Sequence, residues 1–386
     1  PIYSPSVGGS EFIEKSPWAF SGTYTLPTQM KMLSAYLKII EDVDHVLVIK
    51  ATSTFGRFAT EDYVTATKAD GIQTTVAEGF NDKKPGLEPD FVKKNVPDPN
   101  GYPAIVILAH AMNADTLIKQ LRDGGYKGPI FGADRLGTGL IGKLQKLTEE
   151  SKGAVNYAHK VHVAFPFMYT LGSLKGMRFA DRYMTRFQKE PTIWAGFGYD
   201  GLDLIAHAIE AKGAKREAIR DWLAGVNSYD DGLEGVSGRV YFSGGKHASG
   251  RELVMSRISS SGSYEPGFLQ IREVRDNHNL RQVAAKVASG EMVISAGTPY
   301  FKINVVFVGI DFDKINNVDI KGQRFDVEGY MWYRWIGDVD VENISFKNGD
   351  TAGDNSSDEL RKKMGDGLHS ENWVSYKVRQ TLIFPF

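Results

Sequence analysis

Strand-like and helix-like segments alternate from about residue 28 to residue 165, and this alternation limits the possible folds more than any other feature. Leu33, Leu37 and Ile40 have the i, i+4, i+7 spacing of an amphipathic helix, and the apolar run 45–50 follows as a buried strand. Further strands are predicted near 73–79, 104–109, 129–132 and 154–163, and further helices near 59–70, 114–123 and 138–150. Such an order is typical of a parallel sheet covered by helices on both faces.

The segment from about 176 to 226 contains predicted helices but no strand for them to cover. Leu202, Ile205 and Ile209 form one apolar stripe, and Trp222 with Leu223 belongs to a second. Because an amphipathic helix buries its stripe against another layer, these helices need a sheet. We expect the strands of that sheet to precede residue 1 in the full-length protein.

Short strands replace this pattern after Gly235, and longer strands follow from about residue 300. The predicted strands are 239–242, 252–258, 268–273, 302–311, 323–335 and 373–384. Little helix signal separates the last three, which favours an antiparallel β domain. The stretch 349–367, rich in Gly, Asp, Ser and Lys, is predicted to be an exposed loop.

The composition excludes several classes of function. The 46 basic residues nearly balance the 47 acidic ones, so no overall field would attract nucleic acid or an anionic membrane. The chain has no cysteine, which excludes disulfides, thiol nucleophiles and thiolate metal ligands. No apolar run reaches the ~20 residues that span a bilayer.

One glycine motif, Gly137-x-Gly139-x-x-Gly142, fits the loop that brings a backbone close to a pyrophosphate. The acidic residue expected about 20 positions later is missing, because no Asp or Glu occurs between Glu150 and Asp181. An ordinary glycine-rich loop fits the same letters. A nucleotide-dependent enzyme therefore stays an alternative with little support.

Two clusters suggest a metal at first sight. His159 and His162 lie on a predicted strand, but their odd spacing places them on opposite faces. Oxygen-bearing side chains gather at 311–319, yet the glycine and the glutamate of a calcium loop are missing. A strand-ending turn built from Asn and Asp fits this stretch better. The sequence therefore predicts neither a metal site nor a cofactor site.

Polar side chains follow the predicted parallel strands where each strand ends. Residues 52–55 follow one strand, His110 follows the next, and Asp134 with Arg135 follows a third. Open α/β sheets bind ligands beyond the carboxyl edges of their strands. This set suits a zwitterion, because a carboxylate receives an ammonium and an aromatic ring packs on apolar groups. The alternative is that these polar loop residues converge on nothing.

Several segments resemble the periplasmic binding proteins for branched-chain amino acids and their relatives. They are 117–134 (LIKQLRDGGYKGPIFGAD), the Tyr199-Asp-Gly-Leu202 helix start and the Ser4-Pro5-Ser6 loop. The resemblance covers residues 1 to about 275. It implies two lobes that close over a ligand by hinge motion. It also implies an incomplete first lobe, since the family has roughly 100 residues, a domain-sized piece, before the Ser-Pro-Ser loop.

The resemblance further implies a set of ligand-binding residues. They are Ser6, Val7, Gly8, Phe55, His110 and Asp134. The loop 6–8 would lie near the ligand carboxylate, Phe55 would supply an aromatic face and Asp134 would meet the ligand ammonium. His110 stands where the leucine-binding relatives have a tyrosine, and the acid is shorter than theirs, so leucine itself is not implied.

The C-terminal part of the chain is similar to the extracellular domain of bacterial pentameric ligand-gated ion channels. The similarity rests on 303–335, which contains VVFVG and YMWYRW, and on 373–386, WVSYKVRQTLIFPF. Trp332, Tyr333 and Trp335 would lie on the strand that supplies aromatics to the inter-subunit site. Alternating core and surface aromatics is the other interpretation. The similarity implies a homopentamer with membrane helices downstream.

These predictions give an α/β, two-lobed periplasmic binding-protein fold with an incomplete first lobe, followed by an antiparallel β-sandwich segment. The predicted parts are 1–25 with 175–235 as the remnant of the first lobe, 26–174 as the second lobe, 236–288 as a β-rich end with linker, and 289–386 as a partial β-sandwich. We expect a non-catalytic, periplasmic or extracellular sensor of a channel-like receptor that binds a small amino-acid-like ligand and is tethered to the membrane through downstream segments. The alternative is a solute-binding protein of an amino-acid uptake transporter.

Overall fold

The structure, a computed structural model, describes most of the chain: residues 1–8, 10–242, 246–248, 253–259, 261–274, 280–341, 358–363 and 371–383. The chain divides into two compact units, Pro1–Gly267 with Ile271–Phe301, and Phe268–Gln270 with Lys302–Phe386. No helix among the described residues is long and apolar enough to cross a membrane.

The first unit opens with a short parallel pair of strands and a long helix. The elements are β1 (Ile2–Ser4), α1 (Ser10–Lys15), β2 (Ala19–Ser21) and α2 (Leu26–Ile39). Thr25 caps α2 by accepting a hydrogen bond from the backbone N–H of Thr28. Pro27 stands in the first turn, where a missing N–H removes no helical hydrogen bond. The predicted helix in this region is therefore confirmed.

The predicted α/β lobe follows α2. Its parallel strands are β3 (His45–Lys50), β4 (Gln73–Val76), β5 (Ile105–Leu108), β6 (Ile130–Ala133) and β7 (Val161–Phe165). The helices between them are α3 (Thr54–Ala69), α4 (Phe91–Asn95), α5 (Ala114–Asp123), α6 (Asp134–Gly137) and α7 (Leu140–Glu150).

Neighbouring residues of the buried strands pack into opposite layers. On β3, Val46 and Val48 join the core formed with α2 and α3, whereas Leu47 and Ile49 join the core that contains α5 and α7. An uninterrupted apolar run therefore buries both faces of the strand, as in the middle of a parallel sheet.

The helical segment predicted at 176–226 is also confirmed. It contains α8 (Leu174–Phe187), α9 (Ile193–Lys212) and α10 (Arg216–Gly225), followed by the hairpin β8 (Leu233–Gly235) and β9 (Gly238–Val240). Leu174 of α8 and Leu202 of α9 are 59% and 70% exposed. Both side chains therefore lie outside the core that the described residues form.

The Tyr199-Asp-Gly-Leu202 motif has a packing role. Oδ1 of the buried Asp200 accepts a hydrogen bond from the backbone N–H of Val236 at 2.6 Å, which fastens α9 to the β8–β9 hairpin. The next residue, Gly201, faces the ring of Tyr3 on β1, and a Cβ at this position would collide with that ring. The glycine therefore permits the close approach of α9 to β1.

Two antiparallel strands extend the central sheet beyond β7. They are β10 (Val254–Ile258) and β11 (Tyr264–Pro266), and the strand order is β11-β10-β7-β6-β5-β3-β4. Met255 pairs with Ala164 of β7, and the Ser256 hydroxyl donates to the Val163 carbonyl at 2.8 Å. The sheet is therefore mixed, because β10 runs antiparallel to β7 and β11. Both added strands lie in 236–288, the segment predicted as the β-rich end of the binding module with linker.

A helix and three further strands follow β11 along the chain. They are β12 (Leu269–Glu273), α11 (Leu280–Ala288), β13 (Met292–Ser295) and β14 (Thr298–Asn304). Ser34 of α2 donates to Oδ2 of the buried Asp70 at 2.5 Å, and Ser295 of β13 donates to Oδ1 of the same carboxyl group. Asp70, at the C-terminal end of α3, therefore fastens β13 to α2.

The second unit contains an antiparallel sheet with the order β15-β16-β18-β17. The strands are β15 (Phe307–Asp319), β16 (Arg324–Ile336), β17 (Asp358–Lys363) and β18 (Glu371–Ile383). Tyr333 and Trp335 of β16 are buried together with Val374 of β18, whereas Trp332 is 37% exposed. This alternation agrees with the interpretation of core and surface aromatics.

Some sequence-based assignments are wrong. The predicted strand 302–311 is split, because β14 ends at Asn304 and β15 begins at Phe307. The stretch 311–319 is not a strand-ending turn: β15 continues to Asp319 through two shifts of register. The predicted loop 349–367 contains β17, and its other residues lie outside the described part.

Candidate functional site

The loops after β3, β5 and β6 meet at one edge of the central sheet, because these strands are adjacent and parallel. Phe55, His110 and Arg135 come into contact there. The ring centroids of Phe55 and His110 lie 5.2 Å apart, and Cζ of Arg135 lies 4.8 Å from the Phe55 centroid. Side chains that follow three separate strands therefore form one cluster.

Phe55 is held by a helix and not by a loop. The predicted helix begins near residue 59, but α3 begins at Thr54, capped by Ser53, whose hydroxyl accepts a hydrogen bond from the Gly56 N–H at 3.3 Å. Phe55 thus lies in the first turn of α3, half-buried. A side chain fixed by a capped helix is more precisely placed than one on a loop.

Asp82 contacts this cluster through His110, although the sequence does not predict it as a site residue. Its Oδ2 accepts hydrogen bonds from the His110 backbone N–H at 2.9 Å and from the Ser53 hydroxyl at 3.1 Å, and it lies 2.6 Å from His110 Nδ1. Burial would raise the pKa of the Asp82 carboxyl, but these hydrogen bonds outweigh burial and hold the pKa below its ordinary value. Asp82 is therefore a buried carboxylate that fixes the position of His110.

The contacts of His110 define its tautomer. Nη1 of Arg135 lies 3.1 Å from His110 Nε2, and a guanidinium group has donors but no acceptor. Nε2 must therefore accept, which leaves the proton on Nδ1, where it is donated to Asp82. In this arrangement the imidazole links the buried carboxylate to the guanidinium.

Asp134 begins α6, one residue before Arg135. Its Oδ1 accepts a hydrogen bond from Gln29 Nε2 of α2 at 3.0 Å. Burial raises the pKa of the Asp134 carboxyl above its ordinary value, and the Gln29 hydrogen bond and the Arg135 charge only partly oppose this. Burial and the charge of Asp134 also raise the pKa of the nearby Tyr24 hydroxyl. An ammonium group beside Asp134 would therefore be stabilising.

The loop 6–8 lies against the segment that enters α2. The Val7 carbonyl accepts a hydrogen bond from the Ser21 hydroxyl at 2.7 Å, and the Gly8 carbonyl accepts one from the Leu26 N–H at 3.2 Å. Ser6 is exposed. Among the described residues, no hydrogen bond joins this loop to Phe55, His110 or Asp134. The structure therefore brings Phe55 and His110 into contact and leaves the loop as a separate group of predicted site residues.

Gln29 is the second residue that the sequence argument missed, although a signal existed. It lies four positions before Leu33 and seven before Tyr36, so it extends the apolar stripe of α2 with a polar side chain. It is 4% exposed, and a buried amide needs a partner, which here is Asp134. Asp82, in the polar loop 81–84, carries no comparable signal.

The other candidate motifs have structural explanations. Gly137 packs against the Phe165 ring and its carbonyl accepts a hydrogen bond from the Tyr264 hydroxyl at 3.0 Å, while Gly139 adopts a left-handed φ of 70° before α7. His162 stacks on Phe131 of β6 with ring centroids 5.0 Å apart. Among the described residues, no group of three or more His, Asp or Glu could hold a metal ion.

Three solved structures of binding proteins share this fold. The leucine-binding protein LivK of Thermotoga maritima is 17% identical with a TM-score of 0.58, over 69% of this chain and 72% of that one. LivJ of Streptococcus pneumoniae, in complex with isoleucine, is 23% identical with a TM-score of 0.57, over 69% and 71%. A solute-binding protein of Rhodopseudomonas palustris, in complex with benzoate, is 12% identical with a TM-score of 0.54, over 68% and 69%.

No curated protein sequence matches the chain significantly. The sequence profile of the periplasmic binding protein family matches residues 1–263, which include both groups of predicted site residues. The mixed α/β sheet of the first unit is the fold of the solved structures above. Periplasmic binding proteins bind small molecules outside the cytoplasm, and this chain belongs to their family.

Proposed function

We propose that the chain binds a small amino-acid-like ligand at the carboxyl edge of β3, β5 and β6. The observation that carries this proposal is the buried Asp134 carboxyl, whose pKa burial raises and whose side-chain hydrogen bond comes from the neutral amide of Gln29. The names of the solved relatives support it, since they include a leucine-binding protein and an isoleucine complex.

In this proposal each predicted residue has a physical role. Asp134 receives the ligand ammonium, Phe55 packs on apolar atoms of the ligand, and His110 borders the same space from the next strand. The exposed Ser6 belongs to the loop that approaches the ligand carboxylate when the lobes close. Closure excludes water and strengthens the pairing of Asp134 with the ammonium. The function is recognition without catalysis, metal or cofactor.

Isothermal titration calorimetry of the full-length protein with a panel of amino acids tests this function. Replacing Asp134 by Ala should weaken the binding of the best ligand by about 2 to 5 kcal/mol, because the buried ammonium group loses its charged partner. Asp181→Ala, which removes an exposed carboxylate from α8, is the matched control and should change little. Equal affinity of the wild type and Asp134→Ala would exclude the proposed ammonium contact.

We propose that this binding serves sensing. The second unit, with its β15-β16-β18-β17 sheet, lies beyond the residues that match the binding-protein family. In this proposal the binding module of 1–25, 26–174 and 175–288 precedes a channel-like β domain at 289–386. The receptor would be a membrane-tethered homopentamer, with these parts on its periplasmic or extracellular side.

An uptake transporter is the second candidate, because a solved relative from Rhodospirillum rubrum is named a putative branched-chain amino acid ABC transporter. The full-length reading frame separates the two. Four apolar segments of about 20 residues after Phe386 would support the channel. Their absence would favour the transporter. The mass of the purified full-length protein in detergent, measured by light scattering, would then show whether it is a pentamer.

A further inference from the structure

The guanidinium group of Arg135 is held in place although the residue is exposed. Its Cζ lies 4.8 Å from the centroid of the Phe55 ring, and its Nη1 donates to His110 Nε2 at 3.1 Å. Exposed arginines ordinarily lose rotamer entropy when they bind a partner. Two contacts on rigid elements reduce that cost in advance, as is typical of groups preorganised for recognition.

Arg135 is linked through His110 to a carboxylate in the core. His110 is fixed by Asp82, which is 2% exposed and also accepts a hydrogen bond from Ser53, the N-cap of α3. A carboxylate placed directly against Arg135 would neutralise it, but here the imidazole of His110 stands between the two charges. The guanidinium is therefore positioned by a buried acid without being paired to it.

Most of the donors of Arg135 stay available. A guanidinium group has five N–H donors, and one of them is used by His110. Within the described part of the chain, no carboxylate oxygen lies within 4.0 Å of its nitrogens. A planar fork of free donors matches a carboxylate in geometry and charge.

We propose that Arg135 binds a second acidic group on the ligand, so that the preferred ligands are acidic amino acids. This inference rests on the proposed function, since it assumes that the ligand lies at this edge of the sheet. The two adjacent residues then bind different groups of the ligand: Asp134 binds the ammonium group, and Arg135 binds the side-chain carboxylate. Neutral branched-chain amino acids would leave Arg135 without an anion.

Titration calorimetry of the full-length protein with two matched pairs, glutamate with glutamine and aspartate with asparagine, tests the proposal. The acid of at least one pair should bind roughly 10- to 100-fold more tightly than its amide. Arg135→Gln should abolish that preference by weakening the binding of the acid far more than the binding of the amide. Arg186→Gln is the control, because Arg186 is also exposed and lies 5.6 Å from the Phe187 ring on α8.

Other outcomes separate this inference from the proposed function. Amides that bind as tightly as the acids would overturn the role of Arg135 and leave amino-acid binding intact. An equal loss for both members of a pair in Arg135→Gln would also overturn it, since Arg135 would then serve the carboxylate common to all amino acids. Glutarate has no ammonium group. If it bound the wild type as tightly as glutamate but did not bind Arg135→Gln, that result would support the proposed role of Arg135 and count against the ammonium contact. No binding by any compound would overturn both.

Discussion

The side-chain amide of Gln29 lies 3.0 Å from Oδ1 of Asp134, and the pair joins the first turns of α2 and α6. An amide neutralises no charge, so the carboxyl group keeps a raised pKa because of its burial. Ligand recognition and folding therefore make opposite demands on Asp134. The ionised form suits an ammonium, and the protonated form suits the unliganded fold.

Asp134→Asn should stabilise the unliganded protein at neutral pH. Because the folded pKa lies above the ordinary value of 3.8, the folded state binds more protons, and the free energy of unfolding falls as pH rises through that window. Asparagine removes this loss, so Tm should rise by about 2–4 °C at pH 8, which corresponds to ~1 kcal/mol. Scanning calorimetry at pH 4 and pH 8 measures it, with Asp181→Asn as control. A lower Tm at pH 8 would contradict the prediction.

Asp82→Asn should act in the opposite sense. Its folded pKa lies below 3.8, so its contribution to stability is complete above that pH and is lost as pH falls below it. At pH 7 the variant should lose about 2 to 3 kcal/mol, because hydrogen bonds to a charged acceptor become hydrogen bonds to a neutral one. Urea unfolding at pH 7 and pH 3 measures the difference, which should shrink at pH 3. A constant difference would show that the charge of Asp82 is unimportant.

His162 should make the stability of the first unit fall in mild acid. Burial lowers its pKa to about 4 from 6.5, so the unfolded chain takes up a proton in this interval before the folded chain does. Stability is complete above pH 6.5 and should decline by up to about 3 kcal/mol by pH 4. His162→Phe, which keeps a ring against Phe131, should flatten the profile of unfolding free energy against pH. His207→Gln, at an exposed position of α9, should not.

Gly201→Ala should destabilise the packing of α9 on β1. The added Cβ would collide with the Tyr3 ring, and overpacking of this kind costs about 1–3 kcal/mol. Gly198→Ala on the same helix is the matched control, because within the described part of the chain no atom beyond its chain neighbours and its own helix backbone lies within 4 Å of its Cβ position. That variant should be neutral or slightly more stable, since alanine favours a helix. Thermal unfolding followed by circular dichroism compares the two, and equal Tm values would contradict the prediction.

The sequence predicts the α/β lobe well because its signals are local. A run such as 104–109 is apolar without interruption, as is typical of a short strand buried on both faces. The pairing of β10 with β7 could not be predicted, since nothing near residue 255 specifies a partner near residue 164. The bulged continuation of β15 through 311–319 was hidden for a related reason: Asn and Asp favour turns, and pairing with β16 overrides that preference.

The site was predictable to the extent that it follows strand ends. His110 and Arg135 follow adjacent strands, and their contact results from strand order. Asp82 lies in a longer loop after β4. Its distance in sequence from the end of that strand does not predict where its side chain lies. The roles of Ser6, Val7, Gly8, Phe55, His110 and Asp134 in binding stay predictions, as does the division of the chain into four parts.

The position of β10 beside β7 in the sheet has a consequence for folding during synthesis. The strand that covers β7 leaves the ribosome roughly 90 residues after β7 itself, a delay on the order of ten seconds. Until then β7 presents an open edge with free backbone donors and acceptors, the kind of edge on which chains aggregate. Chains shortened before residue 258 would keep that edge open permanently, and expression of the first unit should therefore require its own late segment.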